Sequence, residues 1–133
     1  MPLPRIAEYD DVTLGGVPSI IVCQVYVDRV VLFVTQLPTF GTLVEARSDH
    51  HLDGSETANV RVLLGDSEAD IPSLCARVVL ECMRSGGVSA PLLLGLGLRP
   101  ECTNTEVVKE LLAVLKERKP WGEGVGAEGA SSL

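Results

Sequence analysis

The densest run of hydrophobic residues extends from Val17 to Val44, and its pattern predicts three consecutive β-strands. Residues 20–27 and 30–35 consist mainly of β-branched and aromatic residues, and the polar pair Asp28-Arg29 separates them. Such side chains fit a pleated sheet and lose rotamer freedom in a helix, so the two segments predict a hairpin. Asp-Arg is a poor two-residue turn, which leaves a longer loop or a bulge open. A third strand is predicted from Thr42 to Ala46.

Both faces of the first strand are hydrophobic. One side carries Ile21, Cys23, Val25 and Val27, and the other carries Ile20, Val22 and Tyr26. A sheet that exposes one face to water alternates hydrophobic and polar residues, and this strand does not. We therefore expect helices on one face of the sheet and either further helix or a second chain on the other.

Two helices and a further strand are predicted in the second half of the chain. Hydrophobic residues between Ile71 and Met83 recur with helical spacing, with Ser67 or Asp70 as a cap and Gly86-Gly87 as the stop. Residues 91–98 have the length and bounds of a strand. Thr103 and Glu106 have the spacing of a capping box, which predicts a second helix that ends near Arg118.

The remaining segments have weaker patterns. A loose leader precedes a short strand predicted over 11–14, and Gly15-Gly16 forms a tight turn. Ala58, Val60, Val62 and Leu64 alternate with polar residues, which predicts one buried face and a position near the sheet edge. The polar segment from Arg47 to Thr57 has no periodicity, so we expect an exposed, mobile loop there.

The length and composition fit one domain with an exposed hydrophobic patch. The 133 residues predict a single α+β domain over 1–121 and a Gly-rich flexible tail over 122–133. The hydrophobic content of 46% and the mean hydropathy of +0.28 leave little polar surface. Such a surface is expected to contain a partner-binding patch.

The net charge and the cysteines indicate which classes of partner and which cellular compartment to expect. The net charge is −7 and the basic residues are scattered, so a nucleic-acid partner is not expected. No hydrophobic run is long enough to span a bilayer, and residues 1–11 do not form a signal peptide. The four cysteines show no CxxC spacing and are expected to be reduced thiols. These features predict an intracellular protein, cytoplasmic or also nuclear.

Candidate chemistry is sparse, and neither an enzyme nor a cofactor is expected. His50-His51 with Asp49 and Asp53 is the only cluster with metal-binding residue types, and an exposed polar loop explains it better than a metal site. Cys75 and Cys82 lie on one helical face, where a place in the core explains them better than nucleophilic catalysis. The pattern favours a binding module.

Several short motifs, in order, resemble the proteasome assembly chaperone 3 family. They are Val17-Pro18, Val22-Cys23, Val34-Thr35-Gln36, Gly41-Thr42-Leu43-Val44, and Val62-Leu63-Leu64-Gly65 followed by an acidic helix start. The resemblance covers approximately Asp11 to Arg118 and rests on strands and turns rather than on catalytic residues.

The resemblance implies a small α+β domain with a mainly antiparallel, six-stranded, sandwich-like sheet packed by two or three helices. It also implies an ATP-independent chaperone that acts as a homodimer, or as a heterodimer with a related small assembly chaperone. Its partners would be proteasome α-type subunits, which it would help to assemble into the α-ring of the 20S proteasome. The alternatives are a small scaffold subunit of a trafficking or signalling complex and, third, a cysteine-dependent enzyme.

The segment from Arg47 to Glu56 is the candidate partner-binding loop. Asp49, Asp53 and Glu56 can meet a basic surface, and Leu52 offers one hydrophobic anchor. A simple spacer loop is the alternative.

Overall fold

A computed structural model describes residues 5–122 of the chain. It contains six strands, two α-helices and one 3₁₀ turn. In chain order these are β1 (Arg5–Leu14), β2 (Val17–Val25), β3 (Val30–Thr35), β4 (Thr42–His50), β5 (Glu56–Leu64), α1 (Asp70–Ser85), β6 (Leu92–Gly97), the 3₁₀ turn Pro100–Cys102, and α2 (Thr105–Arg118). Neither of the two helices in residues 5–122 is long and hydrophobic enough to cross a membrane.

The strands form one sheet in the order β1-β2-β3-β6-β4-β5. Only the central pair, β3 and β6, is parallel, and the other pairs are antiparallel. The helices contact each other, α1 packs on β4, β5 and β6, and α2 packs on β1, so both lie on the same face. The predicted α+β class with a mainly antiparallel six-stranded sheet is confirmed. Within residues 5–122 this is one sheet under one helical layer, so a second sheet would have to come from another chain.

The core lies between the sheet and the helices. Large side chains from five strands and both helices have exposed fractions of 5% or less, among them Leu14, Ile21, Leu32, Val44, Leu94, Leu96, Val79, Met83 and Leu115. Each buried aliphatic side chain of this size contributes about 1.5–3 kcal/mol relative to an exposed one. We call this side of the sheet the inner face.

The cysteines that were predicted to lie in the core are largely buried there. Cys23 and Cys75 are buried and Cys82 is half-buried, and all three are free cysteines. Burial raises the pKa of Cys23 and of Cys75 to about 12. The thiols therefore stay protonated at neutral pH, as expected of packing residues.

Both predicted turns between the first three strands are present. Gly15 and Gly16 have φ values of 61° and 78°, which glycine adopts without the strain that a side chain would add. The β2–β3 connection has four residues, and the backbone N–H of Tyr26 donates to the carbonyl of Arg29 at 2.9 Å. The longer loop left open by the Asp28-Arg29 pair is therefore the one observed.

The predicted mobile loop at 47–57 is wrong over most of its length. β4 continues to His50 and β5 begins at Glu56, with register pairs such as Arg47 with Asn59 and Asp49 with Thr57. Strands whose two faces are exposed to water can pair through their backbones without alternating hydrophobic and polar residues. The sequence pattern therefore did not indicate these parts of β4 and β5. Only residues 51–55 form the turn of a long hairpin.

The first strand is likewise longer than predicted. β1 begins at Arg5 rather than at residue 11, because its whole length pairs with β2 across a bulge between Tyr9 and Val12. On β5 a second irregularity places Leu64 opposite Leu43, and Leu64 is 53% exposed instead of facing the core.

The helix starts differ from those predicted. The residue before α1 is Ala69, which makes no side-chain capping bond, so neither Ser67 nor Asp70 caps the helix. At α2 the side chain of Asn104 accepts a hydrogen bond from the backbone N–H of Val107 at 2.9 Å. The hydroxyl of Thr103 donates to the carbonyl of Arg99 instead, because the 3₁₀ turn shifts the helix start past it.

The C-terminal end of the described chain is anchored in the core. Trp121 is 3% exposed, and Arg5 donates a hydrogen bond to its carbonyl. The predicted flexible tail over 122–133 lies outside the described residues, except for Gly122.

Candidate functional site on the outer face of the sheet

The candidate site is the face of the sheet opposite the helices, which we call the outer face. Strand register arranges its central residues in two rows that cross all six strands. One row is Ile6, Gln24, Val31, Leu93, Glu45 and Arg61. The other is Glu8, Val22, Phe33, Gly95, Leu43 and Leu64. No helix of residues 5–122 covers these rows.

The middle of the outer face is hydrophobic. Val22, Val31, Phe33, Leu43 and Leu93 occupy its central strands and are buried or half-buried by their own neighbours. Around them Ile6 is 62% exposed and Ile20 is 42% exposed, both far above the values of the inner face. Half-buried and exposed hydrophobic side chains grouped on one face mark a candidate interaction site.

Two glycines flatten the outer face at β6. A side chain at Gly95 would lie 2.5 Å from the ring of Phe33, so that ring lies directly over the glycine. The ring of Phe40, from the β3–β4 connection, packs against Phe33 with centroids 5.2 Å apart. At Gly97 the backbone of Thr39 occupies the same space. The close neighbour is therefore a side chain of β3 at Gly95 and the backbone of the β3–β4 connection at Gly97.

One end of the outer face is charged. The carboxylate of Glu45 accepts from Arg61 at 3.0 Å and from Arg47 at 3.2 Å. Arg29 pairs with Asp28 at 3.3 Å beside this cluster. Between them is a shallow depression of about 320 Å³, whose floor includes Leu63, Leu92 and Leu93. The outer face is therefore hydrophobic at the centre of β2, β3 and β6, and at β4 and β5 it carries both leucines and the charged Glu45, Arg47 and Arg61.

Sequence patterns missed this charged cluster, although a signal was present. Glu45 and Arg47 alternate with Val44 and Ala46, which indicates a strand with one polar face. Arg61 lies opposite Glu45 only because of the β4–β5 register. Register is set by the turn and by cross-strand contacts, so it cannot be assigned from either strand alone.

The four candidate partner-binding residues lie at the far end of the β4–β5 hairpin. Leu52 is at the tip and its side chain is fully exposed. Asp49 accepts from the Asn59 amide at 3.1 Å. Asp53 accepts from the Ser55 hydroxyl at 2.6 Å and from its backbone N–H, and these bonds lower the pKa of Asp53.

Glu56 ties the hairpin to the helical layer. Its carboxylate lies 3.1 Å from Arg84 of α1 and 3.1 Å from the His50 ring. Arg84 also donates to the hydroxyl of Ser48 at 3.3 Å. Of the four candidates, Leu52 is thus the one whose side chain has no structural role among residues 5–122.

The other residues weighed as chemical sites are dispersed. His50 pairs with Glu56, whereas the His51 ring contacts the Thr57 hydroxyl. No group of three His, Cys, Asp or Glu side chains within residues 5–122 is placed to hold a metal ion. Cys82 borders a groove of about 280 Å³ with Lys116 and Trp121, and burial raises the pKa of its thiol while Lys116 partly offsets that effect.

Comparison with solved structures supports the fold. The chain is similar to one from the crystal structure of a novel chaperone complex for yeast 20S proteasome assembly. The TM-score is 0.64 at 13% sequence identity, and the similarity covers 89% of this chain and 99% of that one. At this identity the likeness establishes the fold alone. No curated protein sequence matches the chain significantly.

Comparison with family sequence models is more specific. The model of proteasome assembly chaperone 3 matches residues 32–118, about two thirds of the chain. The match begins within β3 and extends to the end of α2, so it includes Phe33, Leu43 and Leu93 of the hydrophobic centre and the Glu45, Arg47 and Arg61 cluster of the charged end. It leaves the Val17-Pro18 and Val22-Cys23 motifs outside. The protein belongs to the proteasome assembly chaperone 3 family and has the role of a proteasome assembly chaperone.

Proposed function

We propose that the protein acts as a dimer that binds α-type subunits and promotes assembly of the 20S proteasome α-ring without ATP. The observation that supports dimerisation is the outer face, where Ile20, Val22, Phe33, Leu43 and Leu93 form a hydrophobic surface without a covering layer within residues 5–122. Two sheets pack face to face at about 10 Å, which is how a second chain of the same fold would cover it. The proposed assembly of the α-ring and the proposed independence from ATP rest on the family resemblance.

The dimer is tested by sedimentation velocity from sub-micromolar to high micromolar concentration. We expect wild type to dimerise and Ile20→Asp to raise the dissociation constant at least about tenfold, because a charge would be desolvated in the interface. Ala113→Asp is the matched control, since residue 113 is exposed on α2, away from the sheet. A wild-type monomer at every concentration would overturn the self-associating form of the proposal. It would leave the heterodimer, tested by mixing with a related small chaperone.

The contact with α-type subunits is assigned to the β4–β5 hairpin tip, with Leu52 as the hydrophobic anchor beside Asp49, Asp53 and Glu56. Leu52→Ala combined with Asp53→Ala should weaken binding to a purified α-type subunit and lower the melting temperature only slightly, because Leu52 is fully exposed and Asp53 bonds only to Ser55 within the exposed turn. Asp66→Ala, an acidic turn residue after β5, serves as the control for lost charge. Unchanged affinity of the Leu52 and Asp53 variant would reject this assignment.

The role in the α-ring is tested by reconstitution. Purified α-type subunits are mixed with the chaperone in the presence and absence of ATP, and ring formation is followed by native electrophoresis. We expect faster ring formation that does not depend on ATP. An ATP requirement would contradict the mechanism while leaving the family assignment intact.

The proposed location is the cytoplasm and the nucleus, where proteasome subunits would be available as partners. The four free thiols of the chain are compatible with a reducing compartment. Fractionation of cells that express a tagged full-length chain tests this, and a secreted or vesicular pool would contradict it.

A further inference from the structure

We infer that the open edge of β5 binds an extended, acidic segment of the α-type subunit, which adds to the sheet as a further strand. This inference rests on the α-subunit contact proposed above and adds a second point of attachment, since β5 begins next to the hairpin tip. β5 has nine residues, from Glu56 to Leu64, and it pairs only with β4. Its other edge has no neighbouring strand within residues 5–122.

The hydrogen bonds of the hairpin identify the β5 residues whose backbone faces the open edge. At the turn, the backbone N–H of His51 donates to the carbonyl of Ser55 at 2.9 Å. Bonded and non-bonded positions alternate along an antiparallel pair, so the odd-numbered residues of β5 bond to β4. The even-numbered residues direct their N–H and C=O groups away from β4. They include Ala58, Val60 and Val62.

These outward backbone groups are unused and regularly spaced. Within residues 5–122 no strand, turn or side chain bonds to the backbone of Ala58, Val60 or Val62. Their pairing with β4 is regular, so the outward groups repeat at about 6.8 Å, the spacing that an added strand requires. Proteins often protect a sheet edge with proline, lysine or a bulge, and β5 has none of these between Glu56 and Val62.

The opposite edge of the sheet is protected. β1 contains a bulge between Tyr9 and Val12, which interrupts the regular spacing of its outward backbone groups. Within the bulge, the carboxylate of Asp11 is held by Arg118 of α2 at 2.7 Å. Arg118 also lies over the ring of Tyr9. Of the two edges, β5 is therefore the one that can add a strand over several consecutive residues.

Arginines flank the open edge on both faces of the sheet. On the outer face Arg61 pairs with Glu45, which also binds a second arginine. On the inner face Arg84 of α1 reaches Glu56 at the start of β5. Arg77 lies about two helical turns before Arg84, so it projects from the same side of α1, about 10 Å along the helix. Its side chain is exposed and forms no ion pair within residues 5–122.

The position of Arg77 favours an acidic partner strand over a second copy of this chain. α1 begins after β5 ends, and Arg84 near its last turn reaches Glu56, so the helix runs antiparallel to the strand. Arg77 therefore lies approximately level with Val60, in the middle of the open edge. Two β5 edges paired about Val60 would bring the Arg77 side chains of both copies together, and like charges oppose binding. A partner strand with an acidic residue at this level would pair with Arg77 instead.

Amide hydrogen exchange of the full-length chain tests the added strand directly. In the free protein the amides of Ala58, Val60 and Val62 should exchange faster than those of Asn59 and Arg61, because only the latter two bond to β4. Purified α-type subunits are then added singly. With the subunit that binds, exchange of the three outward amides should slow by at least about tenfold.

A matched pair of variants at Val60 tests the outward N–H group. Val60→Pro and Val60→Ala both shorten the side chain, but only proline removes this N–H, and no bond to β4 is lost with it. Circular dichroism confirms folding. Val60→Pro should bind the α-type subunit at least about tenfold more weakly than Val60→Ala does.

Charge reversal at Arg77 provides a second measurement that does not depend on folding of the proline variant. Arg77→Glu should weaken binding by about tenfold at low salt and by less at high salt, because the acidic partner strand would face a like charge. Lys109→Glu is the control, since Lys109 is exposed on α2 and pairs there with Glu106. Equal affinities of the two charge variants would contradict the acidic character of the partner strand.

Three further outcomes would overturn the inference. The first is binding of an α-type subunit without slower exchange at Ala58, Val60 and Val62, and the second is equal affinity of Val60→Pro and Val60→Ala. In both cases the contact proposed for the hairpin tip survives. The third is slower exchange at high chain concentration without any subunit, which would assign the edge to a second copy. If no α-type subunit binds wild type, the proposed contact fails together with the added strand.

Discussion

Leu93 and Leu94 are neighbours on β6, yet they lie in opposite environments. Leu94 has no exposed surface and packs between the sheet and the helices, whereas Leu93 lies half-buried on the outer face. The two faces of the sheet are similarly hydrophobic in their centre, but the described chain supplies a covering layer for only one of them. Inner-face residues therefore contribute to folding of the monomer, and outer-face residues are available for binding.

The largest expected effect is the difference between these two leucines. Leu94→Ala should lower the free energy of unfolding by about 2–5 kcal/mol, because it leaves a cavity in a closed core. Leu93→Ala should cost less, and its cost should increase with protein concentration if the outer face is a dimer interface. Urea denaturation at several protein concentrations measures both. If both variants lost the same free energy of unfolding at every protein concentration, the two faces would not differ in this way.

A smaller loss of stability is expected when a side chain is added to the flat strip of β6, which consists of Gly95 and Gly97. Gly95→Ala and Gly97→Ala should each lower the free energy of unfolding by about 1–3 kcal/mol, because the added carbon meets neighbours that are already in contact. At Gly95 the neighbour is the Phe33 side chain, whereas at Gly97 it is the Thr39 backbone.

A double-mutant cycle separates the two glycine sites. The cost of Gly95→Ala should fall when Phe33→Leu is also present, and the cost of Gly97→Ala should not. Additive costs at Gly95 would show that the Phe33 ring moves aside freely. The strip would then be less rigid than the packing of Phe33 on Phe40 indicates.

The smallest expected effect is a pH dependence from the inner face. The folded pKa of Cys75 is about 12 against an ordinary value of 9.0, so the folded state holds this proton more tightly. The stabilisation of the folded state by the protonated Cys75 thiol is therefore complete below about pH 9. It decreases as the pH rises towards 12, by at most about 1.4 kcal/mol per pH unit. Unfolding at pH 8, 9 and 10 should show a steeper loss for wild type than for Cys75→Ala. Parallel curves would contradict the burial of this thiol.

Hydrophobic periodicity predicted the parts of the fold that it governs physically. The stripe from Ile71 to Met83 is one face of α1, and the doubly hydrophobic strands are β2 and β3. The hydrophobic pattern also predicted that both faces of the sheet need a covering layer. It did not predict which of the two faces the helices cover. Helix and strand assignment was reliable wherever burial decides the structure.

Features set by local polar contacts could not be predicted in this way. Asn104 caps α2 although Thr103 has the better capping-box spacing, because a 3₁₀ turn fixes where the helix begins. The hairpin from Arg47 to Thr57 is held by backbone pairing and by ion pairs such as Glu56 with Arg84, which lies far away in the sequence. The charged end of the candidate site has the same origin, since Glu45 meets Arg61 only through strand register.

The central position of β6 has a consequence for synthesis of the chain. β6 is the last strand of residues 5–122, yet it separates the unit β1-β2-β3 from the hairpin β4-β5. Until about residue 97 has left the ribosome, these two units have no common neighbour, and the edges of β3 and β4 remain unpaired. Unpaired hydrophobic edges favour association with other chains, and non-local pairing is slow. A protein that helps a larger assembly to form therefore passes through an aggregation-prone stage of its own, which ends when its final strand inserts.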